Sequence, residues 1–305
     1  MIPQFPKFKT VELSDREAVE AHTKKYQPYS DFNFTSLWGW DISNERMISE
    51  LNGNLVVRFT DYQTQEPFFS FLGANKVEKT VQELLAHSKD VGIPPVLRLV
   101  PEIVINEIDV PQFKIVRDFD NFDYIYLIQL LSKMQGKAYK SRRVPAEKFL
   151  REQPSARFEI RNLSDPFIQE GITSVIRSWE KKKNLERKEC EVEHEDTAIK
   201  RLFEMSLSHD MTVGAIFVGD AMRAFTIEEI VPHKYSIGHF WKTSGICTGE
   251  YDFLAQKTAQ YLEDKGIVYW NWEQDLGKEN LRSSKRSYRP SDFLKKYQVS
   301  LAEGH

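Results

Sequence analysis

One order of strands and helices occurs twice along this 305-residue chain, and that repetition constrains the fold more than any single motif. In the first half, Thr10 to Leu13 reads as a strand. Ser14-Asp15-Arg16-Glu17 is a capping box that opens a helix to about Tyr26, and Phe34 to Trp40 reads as a second helix. Arg46 to Leu51, Asn54 to Thr60 and Pro67 to Leu72 alternate as three strands, with Asn52-Gly53 a hairpin turn between the first two. Val77, Val81, Leu84 and Leu85 form the stripe of a helix that Gly92 stops. Val96 to Val100, Phe113 to Val116 and Asp123 to Ile128 follow as strands, the last apolar on both faces.

The second half repeats the series. Phe158 to Arg161 is a strand. Ile168, Ile172, Val175, Ile176 and Trp179 mark one helix, and Ile199, Leu202 and Phe203 another. Thr212 to Val218, Ala224 to Glu229 and Tyr235 to Lys242 are strands. Thr248 is the expected cap of a helix carrying Tyr251, Leu254, Ala255, Thr258 and Leu262, which Gly266 ends. Ile267 to Trp272 and Phe293 to Val299 close the series. Each half thus reads strand–helix–helix–three strands–helix–strand–helix–strand, a duplicated architecture without an obvious sequence repeat. The division is expected near Leu131 to Arg143, giving an N-terminal domain over 1–131 and a C-terminal domain over 132–305.

Composition narrows the function classes. No apolar run approaches the roughly 20 residues that span a bilayer, and the start lacks the apolar region of a signal peptide. The two cysteines, Cys190 and Cys247, have no metal-ligand spacing; no metal site is expected, and a cytoplasmic location is. A net charge of −3 gives no global attraction to nucleic acid or anionic lipid, so any such contact must be local.

The densest chemistry lies in Ile267 to Pro290. Asn271 and Glu273 share one face of the expected strand, opposite Val268, Trp270 and Trp272. Asp275 follows the strand, Gly277 breaks it, and a short helical turn carries Arg282, Lys285 and Arg286 on one side. A sheet face ending in acids beside a basic helix suits a charged ligand. The same residues equally suit an internal ion-pair network joining strand to helix.

EQDLG followed by LRSSKRSYRP resembles the signature of the phosphatidylglycerol lysyltransferase C-terminal domain family, including its soluble members. YSDFNFTSLWGWD (Tyr29 to Asp41), RDFDNFDYIYL (Arg117 to Leu127), GKAYKSRRVPAEKF (Gly136 to Phe149) and GHFWK (Gly238 to Lys242) extend the resemblance over nearly the whole chain. It implies an α+β protein of two tandem GNAT-like acyltransferase domains, each a mixed, mostly antiparallel sheet flanked by helices. The repeated element order is the GNAT order. The resemblance also implies acyl or aminoacyl transfer, with aminoacyl-tRNA or acyl-CoA as donor substrate and no firmly implied cofactor.

In GNAT folds the donor phosphates sit at the N-terminus of the third helix, where unpaired N–H groups attract anions. The corresponding loop here, Lys242 to Gly249, departs from the usual Q/R-x-x-G-x-G/A pattern: Lys242 replaces Gln or Arg, and Cys247 the last small residue. That departure favours an aminoacyl-tRNA donor. Lys285, Glu273 and Asp275 are the candidate catalytic residues, Lys285 by its match to the family's LRxxKxxxxP segment. Arg282, Asn271, Lys242, Tyr288, Lys140 and Arg143 are candidates for substrate binding.

The basic segment around Lys140, Arg142, Arg143 and Lys148 suits tRNA phosphates or peripheral contact with lipid headgroups, or else is a solvated linker helix. Val144 and Glu147 stand there where the family carries asparagines, and Pro145 interrupts. A second basic run, Lys181 to Lys183 with Arg187 and Lys188, reads as a solvated helix end. The alternatives to aminoacyl transfer are a non-catalytic tandem GNAT binding module and an acetyl-CoA-dependent N-acetyltransferase. The sequence leaves the acceptor unidentified.

Overall fold

The computed structural model describes residues 1–61, 64–109, 111–184 and 190–302, with no account of the side chains of 182–184 and 190–193. Arg187 and Lys188, and the side chains of Lys182, Lys183 and Cys190, therefore lie outside the described residues. The chain forms two compact units. The first is Met1–Asp123 with Gln274–Arg282 and Phe293–His305; the second is Tyr124–Glu273 with Ser283–Asp292. This differs from a simple cut at 131/132, because late segments of the chain return to the first unit.

The first unit holds Lys9–Thr10 (β1), Arg16–Thr23 (α1), Phe34–Gly39 (α2), Met47–Leu51 (β2), Asn54–Thr60 (β3), Pro67–Leu72 (β4), Val77–Asp90 (α3), Leu97–Pro101 (β5), Glu102–Ile105 (α4) and Phe113–Arg117 (β6). Strands β1 to β4 make an antiparallel sheet in chain order. The turn at Asn52-Gly53 has positive φ at both residues, as a type I′ hairpin requires. A second sheet places the chain's last strand, Lys296–Leu301, antiparallel between β5 and β6. Val56, Phe69, Phe71, Val81, Leu84, Val100 and Val299 pack into one core between these layers. The box expected at Ser14 to Glu17 is displaced: Asp15 instead accepts the Glu12 amide at 3.0 Å.

The second unit continues with Asp123–Leu127 (β7), Ile128–Lys133 (α5), Lys140–Glu152 (α6), Ala156–Asn162 (β8), Pro166–Asn184 (α7), Cys190–Met205 (α8), Thr212–Val218 (β9), Ala221–Val231 (β10), Tyr235–Thr243 (β11), Glu250–Asp264 (α9) and Tyr269–Asn271 (β12). Glu279–Ser287 (α10) straddles the division between units, and Asp292–Leu294 (β13) and Lys296–Leu301 (β14) complete the order. The sheet runs β13-β7-β12-β11-β10-β9-β8. The basic segment weighed as a solvated linker helix is helical, and α6 runs through Pro145, which removes one helical hydrogen bond without ending the helix. Tyr124, Tyr126 and Trp270 are buried, which anchors β7 and β12 in the sheet. No helix among the described residues is long and apolar enough to cross a membrane.

Candidate functional site

The second unit's sheet opens between two parallel strands. β11 pairs β12 only through Tyr235↔Tyr269, Ser236↔Trp270 and Ile237↔Asn271, although β11 runs on to Thr243. Past Asn271 the chain stays bonded to the segment that starts β7: Trp272 N–H donates to Tyr124 O at 3.0 Å, and Tyr124 N–H to Glu273 O at 3.1 Å. β11 and the post-β12 segment therefore part as strands, and their side chains meet across the separation, Trp241 against Trp272 with ring centroids 4.6 Å apart and His239 against Glu273.

A bulge aims one side chain at this opening. Between β10 and β11 the register passes from Ile227↔Phe240 to Glu228↔Gly238, leaving His239 as the extra residue. A bulge bends the strand and re-aims the residue it inserts. The His239 ring is nearly inaccessible and lies between two carboxylates, with Nε2 2.9 Å from Glu229 Oε2 and Nδ1 3.3 Å from Glu273 Oε1. The other Glu229 oxygen lies 3.0 Å from His209 Nε2. Burial alone would lower the His239 pKa; the hydrogen bonds to Glu229 and Glu273 overcome it and raise the ring to about 10. Burial alone would raise the Glu229 carboxyl, and the two imidazoles instead push it well below the carboxylate range.

Glu273 is the end of this row that solvent reaches, with 18% of its side chain exposed against 1% for His239. Its backbone has φ of +56°, a conformation uncommon for a residue with a side chain. Local contacts hold it there. Asn271 Oδ1 accepts the Glu273 N–H at 2.7 Å, and the Lys285 ammonium donates to the carbonyls of Trp272 and Glu273. Strain so fixed is commonly found at functional positions. Beneath the bulge, Glu228 is buried. It accepts from the Thr226 and Ser236 hydroxyls and the Trp241 and Trp270 indoles, while burial pushes its carboxyl up to about 7.

The loop before α9 is closed from within. The buried Glu250 carboxylate accepts from Gly245 N–H at 3.1 Å, Cys247 N–H at 3.3 Å and the Ser244 hydroxyl at 3.4 Å. The N-cap is Gly249 rather than the expected Thr248. Its φ is +92°, and a Cβ there would fall 2.1 Å from the Pro145 carbonyl oxygen of α6, so only glycine fits beneath that helix. Lys242, expected on a ligand phosphate, forms a 2.6 Å ion pair with Glu195 and sits 3.9 Å above the Trp179 ring.

Of the residues expected in the site, Glu273, Asn271 and Lys285 come together, with Asn271 and Lys285 shaping the backbone that carries Glu273. Tyr288 lies in a buried arrangement of its own: its hydroxyl donates to Asp252 at 2.8 Å, and Arg142 stacks 5.1 Å above its ring and pairs with Asp252. Arg143 donates to the Met134 and Gly136 carbonyls, and Lys140 is exposed on α6. Asp275 and Arg282 belong to the first unit. There the guanidinium binds both Asp275 oxygens, at 2.9 and 2.8 Å, and Asp120 at 2.6 Å. Asp275, a candidate catalytic residue, also accepts the Gly277 N–H and is buried at the centre of an ion-paired turn. His239, Glu229, His209 and Glu250 were not legible as site residues. The available signal was the adjacent pair Glu228-Glu229 inside the otherwise apolar end of β10.

Two units built in this order, the second with its parallel pair splayed around a bulge, define a tandem acyltransferase fold of the GNAT type. The chain belongs to the phosphatidylglycerol lysyltransferase C-terminal family, whose model matches residues 23–300. A conserved protein of unknown function from Bacteroides thetaiotaomicron superposes with a TM-score of 0.82 at 24% identity, covering 99% of this chain and 100% of that one. The structure of L-PGS from Bacillus licheniformis superposes with a TM-score of 0.63 at 14% identity, covering 98% of this chain and 93% of that one. Likeness at these identities concerns the fold. No curated protein matches the chain.

Proposed function

We propose that this protein transfers an aminoacyl group from aminoacyl-tRNA, with the reacting ester held in the opening between β11 and the segment after β12. The observation that carries this choice of donor is the Glu250 carboxylate on the Gly245 and Cys247 amides. Those N–H groups would otherwise receive a pyrophosphate at the start of α9. With an internal anion seated there, an acyl-CoA donor has no phosphate cradle. Family membership supports the same choice, since the family name describes lysyl transfer to phosphatidylglycerol.

In this reading the acceptor nucleophile attacks the ester carbonyl carbon, the bond to the tRNA 3′ terminal ribose oxygen breaks, and that oxygen leaves with a proton. Glu273 is the group placed to take the nucleophile's proton or to hold the donor's ammonium. Lys285 contributes by fixing the Trp272 and Glu273 carbonyls. The exposed cations of α6, Lys140 among them, suit tRNA phosphates.

A thermal-shift comparison tests the donor. A ligand at about 100 times its dissociation constant stabilises the folded state by roughly 2.7 kcal/mol. Charged tRNA is expected to raise the melting temperature of the wild type and to do so less for Glu273→Gln. Acetyl-CoA is expected to leave it unchanged. A shift with acetyl-CoA and none with charged tRNA would overturn the proposal in favour of N-acetyl transfer.

A further inference from the structure

We infer that Glu229 is a positioning residue for Glu273, acting through the imidazole of His239. The inference rests on the proposed role of Glu273, but its geometry stands independently. Each ring nitrogen of His239 faces a carboxylate oxygen, Nε2 toward Glu229 at 2.9 Å and Nδ1 toward Glu273 at 3.3 Å. A neutral imidazole has one N–H and one lone pair, so one of these contacts would set a lone pair against an anion. Only the doubly protonated ring donates to both.

A buried imidazolium needs a counter-charge, and Glu229 supplies it on the side away from the opening. His209 holds the second Glu229 oxygen and so fixes the plane of that carboxylate. The imidazolium in turn fixes one Glu273 oxygen by a charge-assisted hydrogen bond. The bulge makes the row possible, because it brings His239 between a carboxylate on β10 and one beyond β12. Other charges near this sheet are engaged elsewhere. The Lys285 ammonium binds backbone carbonyls, Glu250 binds loop amides, Glu228 is held by two hydroxyls and two indoles, and burial, with Asp196 beside it, raises the Glu180 carboxyl on α7.

The consequence is a carboxylate whose orientation is held by a charged ring across neutral pH. Replacing Glu229 by Gln removes the counter-charge but keeps a hydrogen-bonding group of the same size. The His239 pKa should then fall by roughly two units or more, into the neutral range.

The test is a pH titration of the histidine rings by 15N NMR, with His239 assigned from the loss of its signal in His239→Gln. In wild type the His239 ring is expected to stay doubly protonated to pH 9, and in Glu229→Gln to lose a proton between pH 6 and 8. From pH 6 to 8, stabilisation by charged tRNA should decline more steeply in Glu229→Gln than in wild type, where only Glu228 beneath the bulge changes charge in that range. Two results would overturn the inference: a wild-type His239 that titrates near 6.5, or a Glu229→Gln ring as fully charged at pH 8 as the wild-type ring. If Glu229→Gln does not fold, the wild-type titration alone decides. Failure of charged tRNA to bind wild type would remove the proposed donor while leaving the ring's protonation to be read directly.

Discussion

The two units each hold a buried cation between two carboxylates, and they differ in how far solvent reaches the outer carboxylate. In the first unit Lys296, on the chain's last strand, lies fully buried between Asp31 and Asp123, 2.7 Å from the latter, with the Ser30 hydroxyl donating to Asp123 at 2.6 Å. Burial raises the Asp31 carboxyl against the pull of Lys296. In the second unit His239 lies between Glu229 and Glu273, and Glu273 is open to solvent. A sealed triad can only hold structure together. An open one can meet a ligand.

The loops before the third-position helices differ in the same sense. In the first unit the neutral Asn54 side chain accepts the Asn75 N–H at 3.0 Å and donates to the Asn75 carbonyl at 2.7 Å. In the second a carboxylate performs that service. In both loops, then, backbone amides are met by a side chain of the chain itself.

The largest expected effect breaks the sealed triad. Lys296→Met leaves two buried carboxylates without their cation and should cost about 3–5 kcal/mol in a urea unfolding experiment. A change below 1 kcal/mol, on that same order-of-magnitude scale, would mean that the triad does not lock the last strand. Asn54→Ala should cost about 0.5–1.5 kcal/mol, because it removes the hydrogen bonds of a buried side chain to the Asn75 backbone and to Thr80. Unfolding midpoints would measure it.

The open triad should show itself in the pH dependence of stability. The folded His239 pKa, about 10, exceeds its unfolded value near 6.5. Its contribution is therefore full below pH 6.5 and is lost as pH rises through 10, at about 1.4 kcal/mol per pH unit. Urea unfolding at a series of pH values should show this slope in wild type and lack it in His239→Gln. The smallest effect sharpens the loop comparison. Glu250→Ala frees the loop amides, so inorganic pyrophosphate should stabilise that variant by roughly 0.3–1 kcal/mol in a thermal-shift experiment and leave wild type unaffected.

Much of this architecture was legible because it rests on local periodicity. The apolar stripe of α3 and the Asn52-Gly53 turn need only neighbouring residues to be read. The destination of the last strand was not legible: Tyr297 and Val299 would alternate identically in either unit's sheet, and the pairing of β14 with β5 and β6 is a long-range choice. α6 was legible as the linker-helix reading of its segment, and Pro145, a helix breaker, lies inside it beside the buried Ala146 and Phe149. Within the site, Glu273, Asn271 and Lys285 could be found because they are close in sequence. His239 could not, since its role depends on a bulge that shifts the register and on partners from two other segments. Asp275 and Arg282 fit the ion-pair reading of the same stretch, which residue types alone left equal to the catalytic one.

The measurement that tests the central claim most directly is the fate of the ester bond. Wild type and Glu273→Gln would be incubated with tRNA charged with labelled amino acids, acetyl-CoA, and a small-molecule and lipid extract as acceptor source, and loss of label from tRNA and of acetyl-CoA followed. The account predicts enzyme-dependent loss with wild type, slowed roughly 100-fold in Glu273→Gln, as befits removal of a general base. Label that stays on tRNA while acetyl-CoA is consumed under the same conditions would contradict it.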